Sequence, residues 1–326
     1  MVNATRRVGV TLLAGALLTS GACSKKAEPP AGALAATPPS TADDAGAATG
    51  AKKVVTAKPI AKVDAKPGPA ALGRNLAIDL GEVAARPVAQ ARGRFVLRYD
   101  GADSETRALV RRSGVFEKLV PQLNQSLRMP RDIAVVFEDC DEVNAFYDDE
   151  AVEITMCNEY VDFYGELFSR YPDEDARDAV IGSVVSTFLH EAGHALIDQL
   201  ELPTVGREED VADQLSTVIL VASGEEGNAM ALSGAYAFIA EAEADGEEPV
   251  YWGEHSLDQQ RFYNTVCLIY GSDPEGWDDL VGDDDLPEER AEQCAEEYRQ
   301  VSTAWTRLLR PFLTVPTVRV KLTGDK

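Results

Sequence analysis

Hydrophobic positions divide the chain into three stretches. Residues 8–18 form one short apolar run, residues 24–68 contain almost no large apolar side chains, and from residue 93 onward apolar positions recur with strand and helix periods. Residues 94–99 (RFVLRY) alternate as a strand does. Residues 104–127 carry Leu109, Val110, Phe116, Leu119, Val120 and Leu123 at helical spacing, with Pro121 placed to kink or split the helix. Pro130 stops that run, and residues 132–137 (DIAVVF) read as a buried strand. Residues 144–147 and 152–156 read as two strands joined across Asp148-Asp149-Glu150. After Cys157 the pattern is helical almost throughout. Residues 175–199 lack proline and predict one long helix, and residues 207–222 predict a second, after the loop 202–206. A small sheet followed by a mostly helical body predicts an α+β fold. No internal repeat is present.

The first apolar run lies behind Arg6 and Arg7 and ahead of the small residues Ser20-Gly21-Ala22. That is the pattern of a secretory signal, residues 1–23, too short for a comfortable membrane span. Cysteine straight after the cleavage site is similar to bacterial lipoprotein signals, which implies that Cys23 is lipidated and anchors the exported chain in the cell envelope. Ser24 beside it favours the outer membrane in a Gram-negative cell. The alternative is an ordinary cleaved signal with an unmodified Cys23. Residues 24–68 are rich in Ala, Pro, Lys and Thr, cannot bury enough surface to offset ordering entropy, and read as disordered; residues 70–92 read either as a transition or as an added N-terminal element, and the tether is placed over residues 24–92. The folded domain is expected over residues 93–326.

Five cysteines are an odd number for an exported chain, and setting Cys23 aside leaves four that can pair completely. Three pairings are open. Cys140 and Cys157 flank the predicted hairpin, while Cys267 and Cys294 flank a Pro- and Asp-rich loop between two predicted helices, so these two local bridges are expected. Buried free thiols are the alternative, disfavoured in an oxidising compartment.

A net charge of −24 and a pI near 4.5 argue against a nucleic-acid partner, which needs a basic face. A monomer is expected. The run Asp283-Asp284-Asp285 lacks the Gly and terminal Glu of an EF-hand loop and reads as solvated.

The chemistry concentrates in His190-Glu191-Ala192-Gly193-His194. Histidines four apart on a helix project from the same face one turn apart, with Glu191 able to reach the same pocket. Two imidazole nitrogens on Zn²⁺ are two of the three protein ligands of a catalytic zinc site, and the carboxylate beside them can take a proton from water. A third protein ligand is missing. In the next predicted helix Glu209, Ala212, Asp213 and Ser216 share one face, and an inward carboxylate pair is expensive unless something positive sits there. Glu209 is therefore expected to be the third ligand, ahead of Glu208 and Asp210, and Asp213 to hold the second ring N–H of a ligating histidine. Asp198, one turn past His194, suits a similar supporting role or a structural hydrogen bond. The chain has three histidines, so two on this one helix are hard to explain as ordinary surface residues.

His190-Glu191-x-x-His194 followed by Glu209-x-x-x-Asp213 resembles the gluzincin, thermolysin-like group of zinc peptidases. That resemblance implies a zincin-like fold, with the active-site helix between the small mixed sheet and the helical body. It also implies that Asn144-Ala145-Phe146-Tyr147 is an edge strand pairing with substrate backbone, and that a later residue, His255 or Tyr263, stabilises the oxyanion. His255 could equally make local hydrogen bonds at a helix start. Tyr147 and Tyr160 could line the cleft, with core packing as the default. The stretches CDEVNAFYDDEAVEITMCNE, FLHEAGHALIDQLELPTVGREEDVADQLS, EHSLDQQRFYNTVCLIYGSDPE and LPEERAEQC are similar, over nearly all of residues 94–316, to a bacterial family of metallopeptidases defined by domain of unknown function 4344. The expectation is a zinc-dependent peptidase acting on peptides or proteins. The alternative is a non-catalytic zinc-binding envelope lipoprotein, a scaffold or binding module, against which the presence of Glu191 counts.

Overall fold

The alternation at residues 94–99 forms strand β1 (Phe95–Tyr99), with Phe95 buried and its neighbours alternating toward solvent. The computed structural model describes residues 92–245, 249–282, 285–314 and 318. The expected signal segment, Cys23, residues 24–91 of the expected tether, and Asp283 and Asp284 lie outside these.

The predicted helix 104–127 is two helices, α1 (Glu105–Ser113) and α2 (Val115–Ser126). Ser104 starts the first by accepting a hydrogen bond from the Arg107 N–H at 3.1 Å. The split falls at Gly114 rather than at Pro121. Gly114 takes the left-handed conformation, φ 64°, and its N–H closes α1 on the Arg111 carbonyl. Pro121 sits inside α2 on its exposed side, as does Glu117 four residues earlier, so the carbonyl that loses a partner faces water.

Strands β2 (Ile133–Glu138), β3 (Ala145–Asp148) and β4 (Glu153–Cys157) complete one mixed sheet in the order β1-β2-β4-β3. The β1/β2 and β2/β4 pairs are parallel, and β3/β4 is the predicted antiparallel hairpin. β4 begins one residue later than the pattern suggests, because Val152 has φ 56°, outside the strand region. β3 forms one edge of the sheet.

Six α-helices follow among the described residues: α3 (Asn158–Leu167), α4 (Asp173–Gln199), α5 (Glu208–Ala222), α6 (Glu225–Asp245), α7 (Asp258–Ser272) and α8 (Glu288–Leu309). The fold is α+β and mostly helical. α4 is long and apolar enough to cross a membrane, yet 83% of its most apolar window is buried in the fold. A helix apolar on all sides is a core helix when neighbours cover it. α4 packs against β3 and β4 and against α5 and α6. Phe116 on α2 meets Phe137 on β2 and Phe188 on α4 edge-on, at 4.9 and 5.3 Å between ring centres, which joins the sheet to the long helix.

Both expected cysteine bridges are present. Cys140–Cys157 ties the approach to β3 to the end of β4, and Cys267–Cys294 ties α7 to α8.

Candidate metal centre

His190 and His194 lie one turn apart on the buried face of α4, with their Nε2 atoms 3.1 Å apart. The first turn of α5 brings Glu209 against both. Its Oε2 is 3.1 Å from His190 Nε2 and 3.3 Å from His194 Nε2. Two helices approach this closely because Gly193 faces Ala212: a Cβ at Gly193 would stand 3.1 Å from the Ala212 Cα.

These three donor atoms fit a metal ion. A tetrahedral zinc site with bonds of about 2.0 Å has donor-to-donor edges of about 3.3 Å, close to the three separations observed. The donor set, two imidazole nitrogens and one carboxylate oxygen, is also one that zinc takes. Charge points the same way. Glu191, Glu208, Glu209 and Asp213 surround the histidines and Arg261 is the matching cation beside them, an acidic excess suited to a dication.

Each histidine is held from behind. His190 Nδ1 lies 2.7 Å from Asp213 Oδ1, and His194 Nδ1 lies 2.9 Å from Glu208 Oε1. A carboxylate only accepts, so each Nδ1 carries the proton, and in the neutral ring each Nε2 lone pair faces the common centre. Burial pushes His194 down, but hydrogen bonds to Glu208 and Glu209 and the charge of Glu191 hold it up at about 10. His190 is likewise raised against burial, by Asp213 and Glu209. Burial opposes ionisation of Glu209, yet its three histidine neighbours hold it far below the usual carboxylate range. Glu191 is fully buried, and its charge is felt by both histidines.

His255 lies in the segment leading into α7. Its Nε2 is 2.9 Å from Glu209 Oε2, but the angles do not make a hydrogen bond. His190, Glu209 and His255 together could hold a metal, their donor atoms lying within 4.8 Å of one another. Two contacts fix this segment to α5: Arg207 Nη1 donates to the His255 carbonyl at 3.2 Å, and Ser256 Oγ donates to Asp210 Oδ1 at 2.6 Å.

The other residues singled out in the sequence lie as follows. Tyr263 stacks edge-on against Phe262 at 5.2 Å. It is two residues past Arg261, which grips Asp213, and residues two apart on a helix point to nearly opposite sides. Asp198 accepts from the Tyr147 hydroxyl at 2.7 Å and from Gln199 Nε2, which fastens edge strand β3 to the last turn of α4. The side chains of Ala145, Phe146 and Tyr147 are buried, and Asn144 stands just ahead of the strand. Tyr160 is a core residue whose hydroxyl pairs with that of Tyr164 at 2.5 Å.

Two contributors were not assigned from the sequence. Arg261 on α7 donates to both oxygens of Asp213, and Glu208 supports His194 although the helical pattern turns it away from the Ala212 and Asp213 face. A capping-turn position and a long side chain are the only sequence signal for Glu208. Nothing in α7 marks Arg261.

The chain belongs to the family defined by domain of unknown function 4344, described as "Putative metallopeptidase", whose model matches residues 99–309. Membership implies a metal ion and a peptide or protein substrate. Comparison with curated proteins finds no match, and neither does comparison with solved structures.

Proposed function

We propose that the protein is a zinc-dependent peptidase of the gluzincin type, with a zincin-like fold. The observation that carries this reading is the convergence of His190 Nε2, His194 Nε2 and Glu209 Oε2 to within 3.1–3.3 Å of one another, with the buried carboxylate of Glu191 on the same helical turn. His190, His194 and Glu209 hold the ion. Zinc there supplies Lewis acidity toward water and toward the substrate carbonyl. Glu191 takes one proton from the attacking water as the oxygen bonds to the carbonyl carbon. It then delivers that proton to the amide nitrogen as the C–N bond breaks, leaving a carboxylic acid and an amine. His255, beside the donor cluster, donates to the oxygen on which negative charge develops. The position of Tyr263 makes it the weaker candidate for that task. β3, with Asn144 just ahead of it, is suited by its edge position to pair with an extended substrate.

The same proposal includes export on the signal at residues 1–23, lipidation at Cys23, a tether over residues 24–92, an outer-membrane location and a monomeric state. One observation favours a second reading. The nearness of His255 to Glu209 suits a closed site with four protein ligands, which would be structural.

The test is zinc stoichiometry by elemental analysis together with hydrolysis of a quenched peptide, on wild type and Glu191→Gln. One zinc in each and turnover only in wild type is expected. Full turnover by Glu191→Gln sinks the mechanism, and one zinc in each without turnover favours the closed site.

A further inference from the structure

Six large apolar side chains stand exposed among the described residues, and four of them sit on the two segments leading into the metal centre. Val205 is 96% exposed and lies four residues before Glu209. Val250, Tyr251 and Trp252 are 49%, 72% and 86% exposed and lie three to five residues before His255. The two segments are joined by the Arg207 bond to the His255 carbonyl and the Ser256 bond to Asp210. Scattered exposed apolar residues need no explanation, but a run of three beside a reactive centre does. Aromatic side chains placed this way are the usual anchors of recognition surfaces.

The ridge is within reach of the chemistry. Three residues of chain span at most about 10 Å, so Trp252 is no farther than that along the backbone from His255. An extended peptide advances about 3.3 Å per residue. A substrate whose scissile carbonyl meets the metal centre, and which runs toward Trp252, therefore reaches that side chain within about three residues of the bond. Charge selects the occupant. The chain carries −24, and Glu201, Glu208 and Glu254 are exposed acids on these same segments. Such a surface repels anionic lipid headgroups and acidic peptides alike.

We propose that Val250, Tyr251 and Trp252, with Val205, form a substrate-recognition ridge. It selects peptide segments that carry a large apolar side chain, aromatic above all, within three residues of the scissile bond and without acidic neighbours. This rests on the peptidase reading above and names its substrate class.

The experiment uses the full-length, zinc-loaded protein and two quenched peptides that differ only in a central Phe or Ser. Wild type and Trp252→Ser are compared in kcat and KM. Binding of both peptides to Glu191→Gln is followed by tryptophan emission, with Glu191→Gln/Trp252→Phe identifying the share of Trp252. Wild type is expected to prefer the Phe peptide by about tenfold or more in kcat/KM, the worth of burying one such side chain. Trp252→Ser loses most of that preference through KM, and the Phe peptide shifts Trp252 emission to the blue. The same preference in both proteins, or binding without an emission shift, overturns the ridge and leaves the peptidase standing. An emission shift with the Phe peptide but no cleavage by wild type keeps the ridge as a peptide-binding surface and overturns the peptidase. A shift on phosphatidylcholine vesicles with no response to either peptide overturns the proposal in favour of membrane contact.

Discussion

Arg261 donates to both carboxylate oxygens of Asp213, at 2.8 and 3.0 Å, while the same carboxylate accepts from His190 Nδ1 at 2.7 Å. The Arg261 side chain is 11% exposed, and its guanidinium lies 3.9 Å over the Phe238 ring. A cation thus fixes an anion, which fixes a ring. Each link narrows the direction in which His190 Nε2 points.

Asp213→Asn preserves shape but removes the charge between Arg261 and His190. Zinc affinity is expected to fall by about 10–100-fold, as when other hydrogen-bond partners of metal-binding histidines are lost. Stability is expected to fall by about 3 kcal/mol or less, because the mostly shielded Arg261 loses its bonded counter-charge and keeps only the more distant charge of Glu241. Chelator competition and urea unfolding measure the two effects. If both stay at wild-type values, the chain from α7 to the metal has no energetic content.

Glu209→Ala is expected to lose stoichiometric zinc after dialysis, while Glu208→Ala keeps it with affinity lowered about tenfold. The difference follows from position. Glu209 is buried against both Nε2 atoms, and Glu208 is half exposed and reaches only the far nitrogen of His194. Elemental analysis of the two variants decides, and the reverse pattern would hand the ligand role to Glu208.

Removing the Cys267–Cys294 bridge opens a loop of 27 residues' separation between α7 and α8. The chain-entropy estimate for a loop of that size is about 3–4 kcal/mol. α7 and α8 are already close-packed, since a Cβ at Gly271, one turn from Cys267, would run into the Cys294 carbonyl. Cys267→Ala/Cys294→Ala should therefore fold and unfold at lower denaturant. Because Arg261 rides on α7, its zinc affinity is also expected to weaken. Unfolding at the wild-type midpoint would contradict the first expectation.

Gly193→Ala sets two effects against each other. Alanine favours a helix over glycine by about 1 kcal/mol, but its Cβ would lie 3.1 Å from the Ala212 Cα and 3.2 Å from the Ala212 Cβ. Carbon atoms prefer about 3.5–4.0 Å, and overpacking of this kind costs about 1–3 kcal/mol. The net stability change is expected to be small. The clearer result is weaker zinc binding, since Glu209 and Asp213 both ride on the helix that must retreat. Isothermal titration with zinc measures it; wild-type affinity would mean that α5 yields without carrying its carboxylates away.

Legibility in the sequence follows how local each signal is. His190, Glu191 and His194 are readable because helical spacing alone puts them together, and Glu209 with Asp213 is readable as a carboxylate pair one turn apart. The hairpin and its cysteines are readable for the same reason. Arg261 is not, because the partner that explains it lies 48 residues away. The split at Gly114 competes with a proline signal that is stronger on paper, and it wins because Pro121 falls where the lost hydrogen bond faces water. Val152 shows the limit for boundaries: a β-branched residue suits a strand, yet the turn before β4 holds it at positive φ.

The contact between Gly193 and Ala212 also bears on what could be moved to another protein. Grafting the pentad from His190 to His194 onto a lone helix would transfer two imidazoles and a carboxylate. It would not transfer the spacer that lets a second backbone come within reach. At its fourth position the pentad encodes a distance between helices rather than a reagent. The smallest portable form of this donor cluster is thus a crossing of two helices, and a scaffold designer would copy the crossing first and the side chains second.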